Sequence, residues 1–357
     1  MASSPADLIR IRSQVGAALS DFLGRQRDDL ARIGTDLVPC VDAITDLLAG
    51  GKRLRPAFCY WGWRACGGTD EPAIFAAAAS LELLHASALV HDDVMDASDT
   101  RRGQPSVHKR FAATHASAGW RGAPDSFGAG AAILVGDLLL AWTDEMLRKS
   151  GLSPAAIQHG MLVLDAMRTE VFAGQFLDLI GQASAISSID NALRVITYKS
   201  AKYTVERPLQ LGAALATADT RQAAPAAFTE YGIPLGIAFQ LRDDILGVFG
   251  DPAMTGKPVN DDLREGKRTV MLAIARERAA QAQAQVLDRC VGDPALSGSA
   301  AEEVRAVITG TGALAECELM IEHNLKAALS ALESAPITAE AKSALAELAV
   351  AATSRAD

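Results

Sequence analysis

The chain has 357 residues, 49% hydrophobic and 22% charged, with a formal net charge of −9. That balance suits a globular protein with a large buried core and excludes a disordered chain. The negative charge and the absence of a Lys/Arg run argue against nucleic acid as a partner.

Cys40, Cys59, Cys66, Cys290 and Cys317 show neither CxxC nor Cys/His spacing and read as reduced core thiols of a cytoplasmic protein. The N-terminus lacks a basic region followed by an apolar run, so no leader is expected. Apolar residues recur at helical spacing and strand-type alternation is scarce, so the expected fold is all-α, one domain over 1–357.

In chain order, helices are expected over roughly 6–32, 40–49, 54–66, 72–97, 104–113, 129–149, 153–181, 188–217 with an interruption, 223–248 and 268–291, then in Ala-rich segments from 299. Gly50-Gly51, Gly67 to Pro72, Gly119 to Gly128 and Gly250 to Asp262 read as non-helical. The most apolar stretch, Ala129 to Trp142, is too short to span a bilayer and contains Asp137, so no transmembrane segment is expected. Pro208 lacks the N–H that would bond the Thr204 carbonyl, which predicts a kink near 199–207.

The chemistry concentrates at a few positions. On a helix, Asp92 and Asp96 emerge on one face a turn apart, a costly arrangement unless a cation bridges them. Hard carboxylate oxygens suit Mg²⁺, which completes its shell with water and phosphate oxygens. His85 lies two turns earlier on the same face, and Arg101-Arg102 follow. Guanidinium groups beside such carboxylates point to a metal-bridged diphosphate. Gly50-Gly51-Lys52-Arg53-Leu54-Arg55-Pro56 reads as a phosphate cradle at a helix start. Gln240, Arg242, Asp243 and Asp244, followed by Lys257 and Lys267-Arg268, repeat the theme. Alone, an Asp pair is usually a solvated helix end and a lone His a core residue; the conjunction is what carries weight.

Gly51-Lys52-Arg53-Leu54-Arg55-Pro56, Asp92-Asp93-Val94-Met95-Asp96 with Arg101-Arg102-Gly103, and Phe239-Gln240-Leu241-Arg242-Asp243-Asp244 resemble, in order and spacing, the signature motifs of the trans-isoprenyl diphosphate synthase family. The resemblance spans about 45–275, leaving C-terminal helices over 280–357. It implies a helical bundle with a central active-site cavity, a homodimer, and three Mg²⁺ ions per site. It implies that Lys52, Arg55, His85 and Arg102 hold isopentenyl diphosphate, and that Arg101, Lys199, Lys257 and Lys267 hold the allylic diphosphate. Asp92, Asp96 and Asp243 are implied as metal ligands with Asp93 and Asp244 in support; Ser200, Gln240 and the Lys199 carbonyl are implied to steady a carbocation. One departure stands out, because Gly247 occupies the place of the last Asp in the fuller second motif.

The expected reaction joins isopentenyl diphosphate to an allylic primer. Ala88, Leu84 and Leu81 lie beneath Asp92, and small residues at Ser87 and Ala88 favour geranylgeranyl diphosphate (C20) over a C15 or a longer product. The competing readings are a class I terpene cyclase, for which the Gly51 to Pro56 segment has no task, and a non-catalytic prenyl-binding subunit, against which the intact Asp92, Asp96, Lys52 and Arg101 argue.

Overall fold

The computed structural model describes residues 5–184, 188–216, 224–250 and 260–354, and the expected all-α architecture is present in them. The described residues fall into two compact units, 5–160 with 212–216 and 161–211 with 224–354.

In the first unit, α1 (Pro5–Ile33) buries Ile11, Val15, Leu19, Phe22 and Gln26, a stripe at three- and four-residue spacing. Near its start Arg10 donates to the Tyr60 hydroxyl (2.8 Å) and to Asp70 (2.7 Å), which ties α1 to the end of α3 (Leu54–Ala65). Between them runs α2 (Val38–Leu48). The central element is α4 (Pro72–Met95), opened by a proline in the first turn, where its missing N–H costs nothing. It has no polar face along most of its length, and Ala77, Ala78, Leu81 and Leu84 are all fully buried.

Two elements differ from expectation in this unit. A small hairpin pairs β1 (Thr100–Arg101) with β2 (Gln104–Pro105), so the next helix, α5 (Val107–Ser117), starts after residue 106 instead of at 104. The segment expected as a loop over 119–128 is helical from Pro124, the first residue of α6 (Pro124–Arg148). Gly128 is a packing glycine close against α5 rather than a breaker. The longer α6 also alters the membrane reading. Two helices, α4 and α6, are apolar and long enough to cross a bilayer by length and composition. For α4 that apolarity serves the core, since 72% of its apolar window is buried; for α6 only 39% is.

The second unit contains most of α7 (Pro154–Ser184), then α8 (Ile189–Val195), an 11-residue π-helical segment (Ile196–Glu206) and the start of α9 (Arg207–Leu215). The kink predicted near 199–207 takes this π form: the Arg207 N–H bonds the Lys202 carbonyl, one residue farther back than in an α-helix. A π turn is wide, and glycines make room for it. A Cβ at Gly174 of α7 would lie 2.5 Å from the Lys199 nitrogen. A Cβ at Gly236 of α10 (Ala224–Phe249) would lie 2.3 Å from the Ala201 Cα.

The core of this unit runs along α10 through Ala238, Leu241, Ile245 and Val248, packed with Ile274, Leu287, Val304, Ile308 and Ile321. Tyr231 donates from the buried interior to the Leu345 carbonyl (2.8 Å), anchoring the C-terminal helix Ala339–Thr353. The helix expected over 268–291 is broken into Val270–Arg278 and Gln281–Cys290. Ala279 and Ala280 are extended, and the Gln283 side chain accepts the Ala280 N–H (2.9 Å), starting a new helix.

The turn into α3 depends on Arg53, which adopts φ +54° and directs its guanidinium inward to Glu82 of α4 and to the Leu48 carbonyl. Both side chains of the pair are buried, at 9% and 4% exposure. Arg53→Met should therefore cost about 3–5 kcal/mol by stranding the Glu82 carboxylate. Arg53→Met with Glu82→Met should regain much of that loss in denaturant unfolding; additive losses would show that the pair is not the source.

Candidate active site

The first cluster is built where α4 ends. Ala97 takes φ +53°, and the Ser98 N–H donates to the Asp93 carbonyl (3.0 Å), a closure that terminates the helix. The chain turns into the β1–β2 hairpin, and Arg101 folds back, donating through Nε to Asp93 Oδ1 (2.9 Å) and through Nη2 to the same oxygen. Asp92 Oδ2 lies 4.0 Å from that guanidinium. Asp93 is 1% exposed, whereas Asp92 and Asp96 remain partly open. The three carboxylates thus divide: Asp93 anchors Arg101, and Asp92 and Asp96 share the rim.

Arg102, at φ +54°, donates to the carbonyls of Leu47 (2.8 Å) and Gly50 (3.0 Å), holding the Gly50-Gly51-Lys52 loop beside the hairpin. Lys52 is exposed on that loop. Burial, with the charges of Arg55, Arg102, Arg101 and Arg53, pushes His85 well below the usual imidazole range. A neutral imidazole thus sits amid four guanidinium groups. Arg53 is committed to Glu82, so the guanidinium groups near His85 that could take part in holding an anion with several oxygens are those of Arg55, Arg101 and Arg102. The structure places Arg55, Arg101 and Arg102 near His85, with Lys52 on the adjoining loop, while Arg53 serves the fold.

The second cluster lies on the π segment and α10. Ser200 donates to Gln240 Oε1 (2.7 Å), and Gln240 Nε2 donates to Asp244 Oδ1 (2.8 Å), a continuous relay across two elements. Lys199 donates to Asp178 of α7 (2.6 Å). Asp244 is buried, and desolvation, reinforced by Asp262 and Asp243, pushes it up to about 8. Asp243 is partly exposed beside it. Lys267 lies 3.2 Å from Asp262 Oδ1 and 2.5 Å from Glu265 Oε2. Arg242 belongs elsewhere: it makes two 2.6 Å bonds to Glu318 and one of 3.0 Å to the Thr353 carbonyl, a structural clamp. Lys257 lies outside the described residues.

Sequence reasoning missed two carboxylates here. Asp178, on α7, lies outside every motif singled out in the sequence. Asp262 lies where the motif departs at Gly247: a Cβ at 247 would lie 1.9 Å from Asp262 Oδ2, so the carboxylate fills the space that a side chain at 247 would need. Among the described residues no three His, Cys, Asp or Glu side chains form a ready-made metal cage. Carboxylate oxygens in small groups nonetheless fit Mg²⁺, which takes one or two of them and leaves the other positions to water and phosphate.

An all-helical chain with these two clusters has the features of a diphosphate-processing enzyme. Residues 39–308 match the polyprenyl synthetase family. The chain is 32% identical over 343 residues to geranylgeranyl diphosphate synthase of Mycobacterium tuberculosis, covering 94% of this chain and 92% of that one. It is also 32% identical to geranylfarnesyl diphosphate synthase of Aeropyrum pernix over 302 residues, 83% of this chain and 88% of that one. The structure of geranylgeranyl pyrophosphate synthase from Corynebacterium glutamicum, in complex with isoprenyl diphosphate and magnesium, superposes with a TM-score of 0.93 at 40% identity, covering 97% and 99% of the two chains. The protein belongs to the polyprenyl synthetase family, whose members depend on Mg²⁺, and is a prenyl-transferring enzyme.

The state of Asp244 sets a pH dependence. Its folded value, about 8, lies above the ordinary carboxylate value near 4, so the folded protein binds the extra proton between them. The sign follows: this contribution to stability is full below about pH 4 and is lost as pH rises through about 8. In EDTA, the melting temperature should fall more steeply between about pH 4 and 8, the window those values set, than that of Asp244→Asn. Parallel curves would show that Asp244 is not the group responsible.

Proposed function

We propose that the protein condenses isopentenyl diphosphate with an allylic diphosphate (dimethylallyl, geranyl or farnesyl) and releases geranylgeranyl diphosphate. The observation that carries this reading is the single face of α4, with Asp92 at its charged end and Ala88, Leu84 and Leu81 below. Ala88 is half-buried and small, and Leu84 and Leu81 are fully buried. Ser87 contributes less than its size suggested, because its hydroxyl is committed to the Gly136 carbonyl of α6 (2.8 Å).

In this reading Lys52, Arg55, His85 and Arg102 bind the isopentenyl diphosphate, with His85 as a neutral donor. Arg101, Lys199, Lys257 and Lys267 bind the allylic diphosphate. Asp92, Asp96 and Asp243 would hold Mg²⁺, three ions per site, supported by Asp93, Asp244 and Asp262. The chemistry Mg²⁺ supplies when bound is neutralisation of the diphosphate as it leaves. Ser200 and Gln240, fixed by the relay to Asp244, present oxygen atoms to the allylic cation with little reorganisation. The isopentenyl double bond attacks that cation, forming the new C–C bond, and the released pyrophosphate takes the proton.

A homodimer fits the same reading. On α6, Phe127, Ile133 and Leu134 are exposed at 39%, 47% and 69%, an apolar surface that a second copy would cover.

Incubating the protein with labelled isopentenyl diphosphate, an allylic primer and Mg²⁺ should give a C20 diphosphate; no elongated product overturns the reading. Asp92→Asn should lower kcat by about 10²-fold or more. Ala88→Phe should shift the product toward C15, and an unchanged chain length would remove Ala88 from the length ruler.

A further inference from the structure

A cavity of about 120 Å³ lies at the C-terminal end of α7, walled by Asp178 and Ser184, by Ser188, Asn191 and Arg194 at α8, and by Arg268. It has room for waters or a small polyatomic ion. Its charge is one-sided. Asp178 is engaged by Lys199, while among the described residues neither Arg194 nor Arg268 has a carboxylate within ion-pair distance. Arg194 is oriented by a bond to the Asn191 side-chain oxygen.

Arg268 supplies the decisive observation. Its Nε is buried and has no hydrogen-bond acceptor among the described residues. A buried cationic donor left without an acceptor is costly, so this position favours a ligand that brings a charged oxygen. Two guanidinium groups flanked by two serine hydroxyls match the several oxygens of a tetrahedral oxyanion better than a single carboxylate.

We propose that this cavity binds one phosphate-class oxyanion, either free orthophosphate or the terminal phosphoryl group of free pyrophosphate, held by Arg194 and Arg268. None of the residues assigned above to either substrate lines the cavity, although Asp178 in its wall is paired with Lys199.

Calorimetric titration of the full-length protein in EDTA, with orthophosphate and separately with pyrophosphate, tests it. Arg194→Met and Arg268→Met should each weaken binding of at least one of these ions about tenfold or more. Arg55→Met, in the cluster assigned to isopentenyl diphosphate, should remove only the separate binding event made there and leave in place the event that Arg194→Met and Arg268→Met weaken. A loss confined to orthophosphate identifies the free ion as the ligand; a loss with pyrophosphate identifies the terminal phosphoryl group. The site is overturned if both cavity variants bind both ions like the unaltered protein, if the unaltered protein binds neither, or if Arg55→Met removes the event assigned to the cavity instead. Arg194 is exposed, so its substitution spares the fold. Failure here would leave the prenyl-transfer reading standing, since that is decided by product formation.

Discussion

The structure turns on one constraint: α4 must be buried along nearly its whole length and still end in concentrated negative charge. Burying a carboxylate is affordable only with a dedicated partner. Glu82 in the middle of α4 receives Arg53, and Asp93 near its end receives Arg101. Those two pairings leave Asp92 and Asp96 as the carboxylates at the partly open rim. Arg53 and Arg102 both occupy the left-handed region, each at a strain of about 1 kcal/mol; from there Arg53 reaches Glu82 of α4 and Arg102 reaches the Leu47 and Gly50 carbonyls.

The second unit meets the same problem by another route. Among the described residues Asp244 has no guanidinium partner, and burial pushes its carboxyl up to about 8, with the Gln240 amide bonded to it. Gln240 in turn holds Ser200 on the π segment, so the wide turn and the buried acid are one mechanical assembly. The assembly exists because Gly174 and Gly236 permit close backbone approach on the two sides of that segment. A larger residue at either place would push the π turn, and with it Ser200, out of register.

Helices were legible in the sequence because long apolar periodicity admits little else, and the charged motifs were legible because their spacing survives in one dimension. What was not legible depended on single backbone angles or on distance along the chain. Of Lys52, Arg53 and Arg55, the one that reaches Glu82 is selected by the φ of Arg53. Asp262 lies beyond the 251–259 stretch from Gly247, so no local pattern linked the two. Gly128 was read as a breaker when it is a packing residue, and Gln283 was not recognised as the cap that splits 268–291. Pro208 correctly marked an irregular turn, but its π form rests on glycines in α7 and α10, 34 residues before it and 28 after.

Family membership constrains the chemistry more tightly than the product. Relatives at 32% identity carry names that differ by one prenyl unit, so the shared backbone is compatible with more than one chain length. What can differ is side-chain volume along the face of α4, where one helical turn advances about 5.4 Å. Diphosphate recognition needs many charges in fixed relation, and exchanging any one of them disrupts several ion pairs at once. Tail length needs only a few apolar contacts, each replaceable without altering a hydrogen bond. In the proposed reading the two tasks fall on opposite ends of the same helix, and the apolar end is the one free to vary.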